Sequence, residues 1–210
     1  MQNNLHLIFP TPILVDNINR AFTTDEENKF VNADYKNDVN DNTTTLNTVS
    51  FTRTKDILEE QSLFNIQDFI LSKAREYLNS LRVSDNLKLK IIRSWMVKSE
   101  PGCYGRKHNH PNSILSGVMY LKTSKGCGNL ILHQEKSLFG SIELSYGEVN
   151  NVNGTTVSIP PKDGMLILFP STTYHEVAKN LSEETRYSLS FDIWAEGTIG
   201  TSNSMTELTL

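Results

Sequence analysis

The sequence predicts a mainly β protein, a β-sandwich or barrel preceded by helices that pack on its sheet. Two observations lead to this prediction. From about residue 88 to residue 196, short alternating apolar and polar runs are separated by Gly, Pro, Asn and Lys-Asp turns, without a helical pattern between them. Before residue 88 the apolar residues recur with the period of an α-helix. After a first strand through Val97, strands are predicted at Ser113–Thr123, Gly128–Gln134, Ser141–Tyr146, Thr155–Ile159, Gly164–Phe169, His175–Lys179 and Thr185–Trp194.

The clearest helix is predicted from about Ser62 to Leu81, where Leu63, Ile66, Ile70, Ala74, Tyr77 and Leu81 form one apolar stripe. A shorter helix is predicted to begin near Thr24. The chain opens with an apolar run that Pro10 and Pro12 interrupt, which indicates an edge strand or an extended arm. These patterns predict three parts: an N-terminal segment at 1–87, a β core at 88–196 and a polar, loose tail at 197–210.

Charge and composition exclude several classes of function. The net charge of −4 argues against a general nucleic-acid binder, because binding to the phosphate backbone needs a basic face. No stretch approaches the roughly 18 apolar residues of a membrane span, and residues 1–15 lack the pattern of a secretory signal. The two cysteines, Cys103 and Cys127, fit a reduced pair, so we expect a cytoplasmic protein.

Three of the five histidines lie at informative places in the predicted β core. His108 and His110 are separated by one residue, and in an extended segment such a pair points to the same side. His175 follows 65 positions after His110, directly behind a predicted strand and turn. A sandwich or barrel brings distant strands side by side, so three imidazoles can meet at one metal ion. The alternative is a set of surface or hydrogen-bonded histidines.

An arginine on the last predicted strand makes the metal site more plausible. Arg186, Ser188 and Ser190 share one face of that strand. A core-facing arginine is costly unless an anion pairs with it. The forked guanidinium suits a carboxylate, which it can hold through two parallel hydrogen bonds.

Together these residues resemble the 2-oxoglutarate/Fe(II)-dependent dioxygenase superfamily, whose pattern is His-x-Asp/Glu, a long gap, His and then Arg-x-Ser. Here the pattern reads His108-Asn109-His110, His175 and Arg186-Tyr187-Ser188. The segments around it, from Gly102 through His108-Asn-His-Pro-Asn-Ser and Leu-Ser-Gly-Val-Met-Tyr-Leu to Pro161-Lys-Asp-Gly-Met-Leu-Ile-Leu-Phe-Pro-Ser, are similar to 2OG-Fe(II) oxygenases of marine bacteria and phages. The opening Phe9-Pro10-Thr11-Pro12 is similar too.

The resemblance implies a double-stranded β-helix, the cupin-like jelly roll, with N-terminal helices packed on the sheet. It implies an oxidoreductase that uses Fe(II) and 2-oxoglutarate as cosubstrate and releases succinate and carbon dioxide, with hydroxylation as the default reaction. By the same resemblance, the metal ligands are His108, His110 and His175, and the residues that bind 2-oxoglutarate are Arg186, Ser188 and Tyr120; the alternative for Tyr120 is a tyrosine packed in the core.

Position 110 departs from the superfamily pattern, because it is histidine where Asp or Glu is usual. Imidazole suits iron, but three neutral ligands leave the full charge of the ion uncompensated. Whether His110 binds the metal, or a water or a carboxylate replaces it, is left open; the candidate carboxylates are Glu135, Glu176 and Asp192. His133 is interpreted as an ordinary strand residue or as a residue that faces the cavity and supports the metal ligands without binding the metal.

Two other readings remain: a cupin-like metalloenzyme that does not use 2-oxoglutarate, and a non-catalytic jelly-roll binding module. The substrate is expected to be a protein or peptide side chain or a small metabolite; nucleic acid is disfavoured and no membrane is expected. The loops Asp41–Thr54 and Phe139–Asn153 are predicted to line the mouth of the barrel. A homodimer through the proline-marked edge is left open.

Overall fold

The structure is a computed structural model that describes residues 10–37, 48–84, 86–135, 141–142, 144–150 and 152–210. Phe9 of the opening motif and His6 therefore lie outside the described residues. The helices are α1 (Thr24–Asn32), α2 (Ile57–Glu60) and α3 (Phe64–Ser80). The strands are β1 (Leu14–Asn17), β2 (Tyr35–Asn37), β3 (Ser50–Thr52), β4 (Lys88–Ser99), β5 (Gly105–His108), β6 (Leu115–Lys122), β7 (Leu130–His133), β8 (Thr156–Ile159), β9 (Met165–Pro170), β10 (His175–Val177), β11 (Arg186–Glu196), β12 (Thr198–Ile199) and β13 (Leu208–Thr209).

Two antiparallel sheets form the body of the protein. The larger has seven strands in the order β1-β9-β6-β11-β4-β3-β2, and the smaller has four in the order β5-β10-β7-β8. Several neighbouring strands, such as β1 and β9 or β5 and β10, are distant in sequence, as a jelly roll requires. Tyr120, Ile167 and Phe169 of the larger sheet pack with Leu130 and Leu132 of the smaller one and form a buried cluster between them. The predicted mainly β architecture is therefore confirmed.

Helix α3 covers the other face of the larger sheet, as its apolar stripe predicts. Ile66, Ile70 and Ala74 are completely buried and belong to the main core. The stripe ends before Leu81, which is 44% exposed because α3 stops at Ser80. Helix α1 begins as expected at Thr24, after a capping box formed by Thr23 and Glu26. Among the described residues no helix has the length and apolar character to cross a bilayer.

Two local expectations differ from the structure. The predicted strand Ser141–Tyr146 does not form in its described residues, where Ile142 is 67% and Leu144 46% exposed. The alternating apolar side chains of this segment are therefore not packed against a sheet in the described residues. The C-terminal tail is not uniformly loose, because β12 and β13 pair with each other. Strands β1, β2 and β3 of the N-terminal segment join the larger sheet.

Candidate metal centre

The three histidines of the sequence pattern meet at one end of the smaller sheet. His108 ends β5 and His175 begins β10, and the register of these antiparallel strands places them opposite each other. His110 lies just beyond β5, where its backbone N–H donates to the carbonyl of Ser171 at 3.0 Å. The turn before β10 is thereby tied to the His-x-His segment, which fixes the third imidazole beside the first two.

Their ring nitrogens converge closely enough for one ion. One ring nitrogen from each of His108, His110 and His175 lies within 4.8 Å of the other two. The Nε2 atoms of His110 and His175 are 3.3 Å apart. Two imidazole nitrogens about 2.1 Å from one ion, at roughly a right angle, are about 3 Å apart. The spacing therefore fits adjacent ligands of a single metal.

Hydrogen bonds at the opposite ring nitrogens fix the tautomers. Nδ1 of His108 lies 2.7 Å from the carbonyl of Arg106, and Nδ1 of His175 lies 3.0 Å from the carbonyl of Thr173. Nδ1 of His110 lies 2.8 Å from a carboxylate oxygen of Asp192. These acceptors require the proton on Nδ1, which leaves a lone pair on each Nε2. Facing lone pairs repel each other, and a cation between them removes that repulsion.

Burial favours the neutral, metal-binding form of His108 and His175. Burial lowers the pKa of His175 to about 3, and the carbonyl of Thr173 only partly opposes this effect. Burial also lowers the pKa of His108, although one edge of this residue is exposed. Neutral imidazoles at neutral pH need not lose a proton before they bind a metal.

Asp192 supplies the carboxylate of the site, and it contacts His110 at Nδ1, the ring nitrogen opposite Nε2. This side chain is completely buried on β11 and accepts hydrogen bonds from Ser116 Oγ at 2.6 Å and, as above, from His110 Nδ1. An Arg93 Nη2 atom is 2.8 Å from its other oxygen. Burial opposes the charge of Asp192, but the hydrogen bonds from His110 and Ser116 and the Arg93 guanidinium outweigh it, so its pKa lies below the ordinary value. A negative charge thus stands one imidazole away from the proposed metal position.

Sequence reasoning considered Asp192 only as a direct ligand. Its place behind His110 was missed, as were Arg93 and Ser116, which hold it. The alternation of Arg186, Ser188 and Ser190 continues to Asp192 along β11, which is a signal that places Asp192 on the same face. Arg93 and Ser116 are its register partners on β4 and β6. The other two candidate carboxylates, Glu135 and Glu176, do not belong to the histidine cluster among the described residues.

Arg186 is a buried cation without a counter-ion in the described part of the chain. The residue is only 2% exposed, and its Nη1 donates to the carbonyls of Cys127 and Gly128 at 3.2 and 3.0 Å. Its Nε is buried without a partner. Burial lowers the pKa of Arg186, since the charged form is separated from water. A buried arginine without a counter-ion is energetically costly, and an anion bound beside it would offset that cost.

The cavity beside Arg186 also contains the histidines. Its volume is about 320 Å³, and it is lined by all six residues that the sequence pattern singles out: Tyr120, Arg186, Ser188, His108, His110 and His175. Tyr120 is 1% exposed and opposes Ser188 across the strand pair β6 and β11. Its hydroxyl forms no hydrogen bond within the described residues, and burial raises its pKa to about 12. The hydroxyl is therefore available as a hydrogen-bond donor at neutral pH.

Other predicted features have less to do with this centre. His133 follows Leu132, the register partner of His175, so it points away from the cluster and its Nε2 lies 3.4 Å from Glu176. Both cysteines are free and buried. Of the two predicted rim loops, the first contributes Phe51 and its neighbours to a cleft beside the histidines, whereas no described residue of 139–153 lines either cavity. Residues 38–47 lie outside the described part.

The comparisons with known proteins point to one family. Residues 93–192 match the family model described as "Putative 2OG-Fe(II) oxygenase". No curated protein matches the sequence. The matched range begins at Arg93 and ends at Asp192, so it spans every residue of the cavity-lining pattern described above.

Solved structures show the same fold at low identity. An oxidoreductase of the 2OG-Fe(II) oxygenase family from Burkholderia pseudomallei is 13% identical, with a TM-score of 0.57 and coverage of 87% of this chain and 84% of the other. A Trichoplax adhaerens prolyl hydroxylase, solved with a hypoxia inducible factor peptide, is 17% identical, with a TM-score of 0.55 and coverage of 87% and 82%. HygX from Streptomyces hygroscopicus, solved with nickel and 2-oxoglutarate, is 12% identical, with a TM-score of 0.55 and coverage of 95% and 92%. The jelly-roll prediction, the oxygenase prediction and the predicted cofactors, Fe(II) and 2-oxoglutarate, are confirmed at the level of the family.

Proposed function

Because residues 93–192 of this chain belong to the 2OG-Fe(II) oxygenase family, we propose that His108, His110 and His175 hold its iron(II). The cavity beneath these histidines takes the cosubstrate, with the distal carboxylate of 2-oxoglutarate on Arg186. The enzyme is a 2-oxoglutarate-dependent dioxygenase. Its primary substrate is a protein or peptide side chain or a small metabolite, and hydroxylation is the reaction proposed for it.

The unpaired guanidinium of Arg186 is the observation that carries the cosubstrate assignment. A cupin-like metalloenzyme without 2-oxoglutarate, or a binding module with incidental histidines, has no use for a 2% exposed arginine without a counter-ion. Arg186, whose Nε has no hydrogen-bond partner, lines the same cavity as the three histidines. A molecule with a metal-binding group at one end and a carboxylate at the other satisfies both ends of this cavity.

The role of each residue in the site follows from its position. Iron(II), when bound, would supply the redox chemistry by which dioxygen oxidatively decarboxylates 2-oxoglutarate to succinate and carbon dioxide, with one oxygen atom entering succinate and the other hydroxylating the substrate. The three Nε2 atoms would hold the ion, and the carbonyls of Arg106 and Thr173 together with the Asp192 carboxylate hold the rings in place. Arg186 orients the cosubstrate, and Tyr120 and Ser188 donate hydrogen bonds to the same carboxylate. The apolar walls of the cavity exclude water from the reacting atoms.

Two further proposals concern the setting of the enzyme. We propose that it acts in the cytoplasm, since its two cysteines, Cys103 and Cys127, are free and buried. A homodimer stays a prediction that the molecular mass in solution tests.

The cosubstrate assignment is tested by titrating the Zn(II)-loaded protein with 2-oxoglutarate in a calorimeter. Zn(II) replaces iron(II) so that no turnover disturbs the heat. Arg186→Gln removes the charge and is expected to weaken 2-oxoglutarate binding about 10–100-fold, the value of charge-assisted hydrogen bonds at a buried site. Its affinity for Zn(II) alone should stay unchanged. Lys125→Gln, which removes an exposed cation without a partner in the described residues, is the matched control.

Fe(II)-loaded wild-type protein should also form succinate slowly without added substrate. Unchanged 2-oxoglutarate affinity in Arg186→Gln contradicts the role of Arg186. Loss of Zn(II) affinity in the same variant shows that its effect passes through the fold and contradicts the separation of the two sites.

A further inference from the structure

We propose that the cleft on the outer side of the histidines binds an anionic group of the primary substrate, a carboxylate or a phosphate. The cleft measures about 510 Å³ and shares Phe51, Trp95, His108 and His110 with the inner cavity. The proposed iron position therefore lies between the cosubstrate on one side and this cleft on the other. The inference rests on the proposed function, because the cleft is a substrate site only if the metal binds at the histidines.

The charges that line the cleft are mostly positive. Arg53, Lys55 and Arg93 are its cations, and Asp192 is its single acidic residue. Asp192 is already engaged by His110, Ser116 and Arg93. Arg53 and Lys55 form no ion pair with any described residue, so two positive charges at the cleft are unmatched. In a chain of net charge −4 this concentration attracts anions to one place instead of to the whole surface.

The backbone that carries these two cations is held against β4. The N–H of Met96 donates to the hydroxyl of Thr52 at 3.0 Å, and the N–H of Ser94 donates to the carbonyl of Lys55 at 2.7 Å. Thr52 is 4% exposed. Arg53 lies between these two anchors, so the segment presents its cations from a fixed backbone. A pre-organised site of this kind loses less entropy when it binds an anion.

The aromatic wall of the cleft indicates how the rest of the substrate lies. The Trp95 ring stacks on His110, with ring centroids 5.6 Å apart and an interplanar angle of 22°. Phe51 lies on the same wall. An apolar part of the substrate can pack against these rings next to the histidines, while its anionic group reaches Arg53 and Lys55 further out. The cations then hold the molecule by a group that does not react, which is how an enzyme positions a reactive C–H bond.

The test uses the full chain, isotopically labelled and studied by NMR, both metal-free and loaded with Zn(II) and saturating 2-oxoglutarate. The cosubstrate at saturation occupies Arg186 and keeps other carboxylates away from it. The probes are phenyl phosphate, benzoate and the neutral benzamide, which have similar size and the same ring. We expect the two anions to shift the amide signals of residues 51–55 and 95 at concentrations at which benzamide does not. Tighter binding of phenyl phosphate than of benzoate indicates a phosphate site, and the reverse order indicates a carboxylate site.

The double variant Arg53→Gln with Lys55→Gln should weaken binding of the anions about 2–30-fold, as two exposed charge pairs predict. Lys125→Gln should bind them like the wild type. Equal binding of benzamide and the anions, or unchanged binding in the double variant, overturns the proposal. Tighter binding of a single-stranded DNA decamer than of phenyl phosphate at these residues also overturns it, in favour of a nucleic-acid surface.

Failure of this inference is distinguishable from failure of the proposed function. Zn(II) and 2-oxoglutarate binding are measured first and involve none of the substituted residues. If these ligands do not bind, the proposed function fails and the cleft is no longer a substrate site. If they bind and the anions do not, only the substrate inference fails.

Discussion

Replacement of Asp192 by Asn tests whether a carboxylate behind His110 compensates for the missing carboxylate ligand. Asn has almost the same shape and can still accept a hydrogen bond from His110 Nδ1, so the variant removes mainly the charge. In the wild type this buried carboxylate lies 2.8 Å from His110 Nδ1 and 2.8 Å from Arg93 Nη2. We expect the affinity for divalent metal to fall about 10–100-fold, the usual effect of changing a group behind a metal ligand.

The magnitude follows from the geometry. A unit negative charge one imidazole away from a dication is about 6 Å from it, which at an effective dielectric constant of about 20 corresponds to roughly 5 kcal/mol. Part of this attraction is already lost in the wild type, because Arg93 shares the carboxylate. A remaining loss of about 1.4–2.8 kcal/mol corresponds to the 10–100-fold decrease.

Competition of Co(II) with a chromophoric chelator measures the affinity, and the electronic spectrum of bound Co(II) reports the ligand geometry. Ser116→Ala is the control, since it removes a neutral donor to the same carboxylate and keeps the charge; its loss should be smaller. A thermal melt of each metal-free variant checks the fold. Equal affinity of wild type and Asp192→Asn, with both folded, refutes the reasoning. An equal loss in both variants shows that the charge is not responsible.

Four further outcomes are expected. His175→Ala should abolish Co(II) binding, while His133→Ala, which alters a histidine outside the cluster, should bind Co(II) normally. Gly117→Ala should lower the free energy of unfolding by about 1–3 kcal/mol or prevent folding, because a Cβ would lie 2.5 Å from the Phe191 ring and 2.7 Å from the Ile167 carbonyl oxygen; denaturant unfolding measures this. Tyr120→Phe should weaken 2-oxoglutarate binding less than loss of Arg186 does, since it removes one neutral donor, as calorimetry can show. The free energy of unfolding of the metal-free protein should fall as the pH decreases from about 6.5 toward 3, because His175 binds a proton in the unfolded state but, with a pKa of about 3, stays neutral in the folded state. His175→Gln should show a shallower decrease over that range. Parallel curves for the two proteins would contradict this account.

The sequence was most informative where alternation and ligand chemistry coincide. The His-x-His pair in an extended segment and the Arg186-x-Ser188 pair each predict a shared face, and the structure places all of them around one cavity. The same alternation leads to Asp192, but it does not reveal that Asp192 stands behind His110 and not beside it. That position depends on the register between β11 and its neighbours, which pairs Asp192 with Arg93 and Ser116.

Residues of the outer cleft were harder to predict, because their relation to the site is set by packing between distant segments. Trp95 alternates with apolar residues on β4, and nothing in that pattern tells which layer its ring faces. The predicted rim loop Asp41–Thr54 contains Arg53 but not Lys55, and the sequence does not reveal the hydrogen bonds to β4 that hold this segment beside the histidines. The Ser141–Tyr146 pattern shows the reverse case, since its described residues alternate in polarity without forming a strand, and Ile142 and Leu144 are exposed.

The way in which Arg186 is held restricts which dicarboxylic acids the enzyme can use. Its guanidinium is tied to the carbonyls of Cys127 and Gly128, and Gly128 has a φ of +94° and no room for a Cβ, since that atom would lie 2.2 Å from the Ala178 carbonyl oxygen. The turn is therefore closely packed. With the distal carboxylate on Arg186, as proposed above, we expect oxaloacetate, a keto diacid one methylene shorter, and 2-oxoadipate, one methylene longer, to bind more weakly than 2-oxoglutarate. Selectivity for the length of the acid would then depend on how closely this turn is packed.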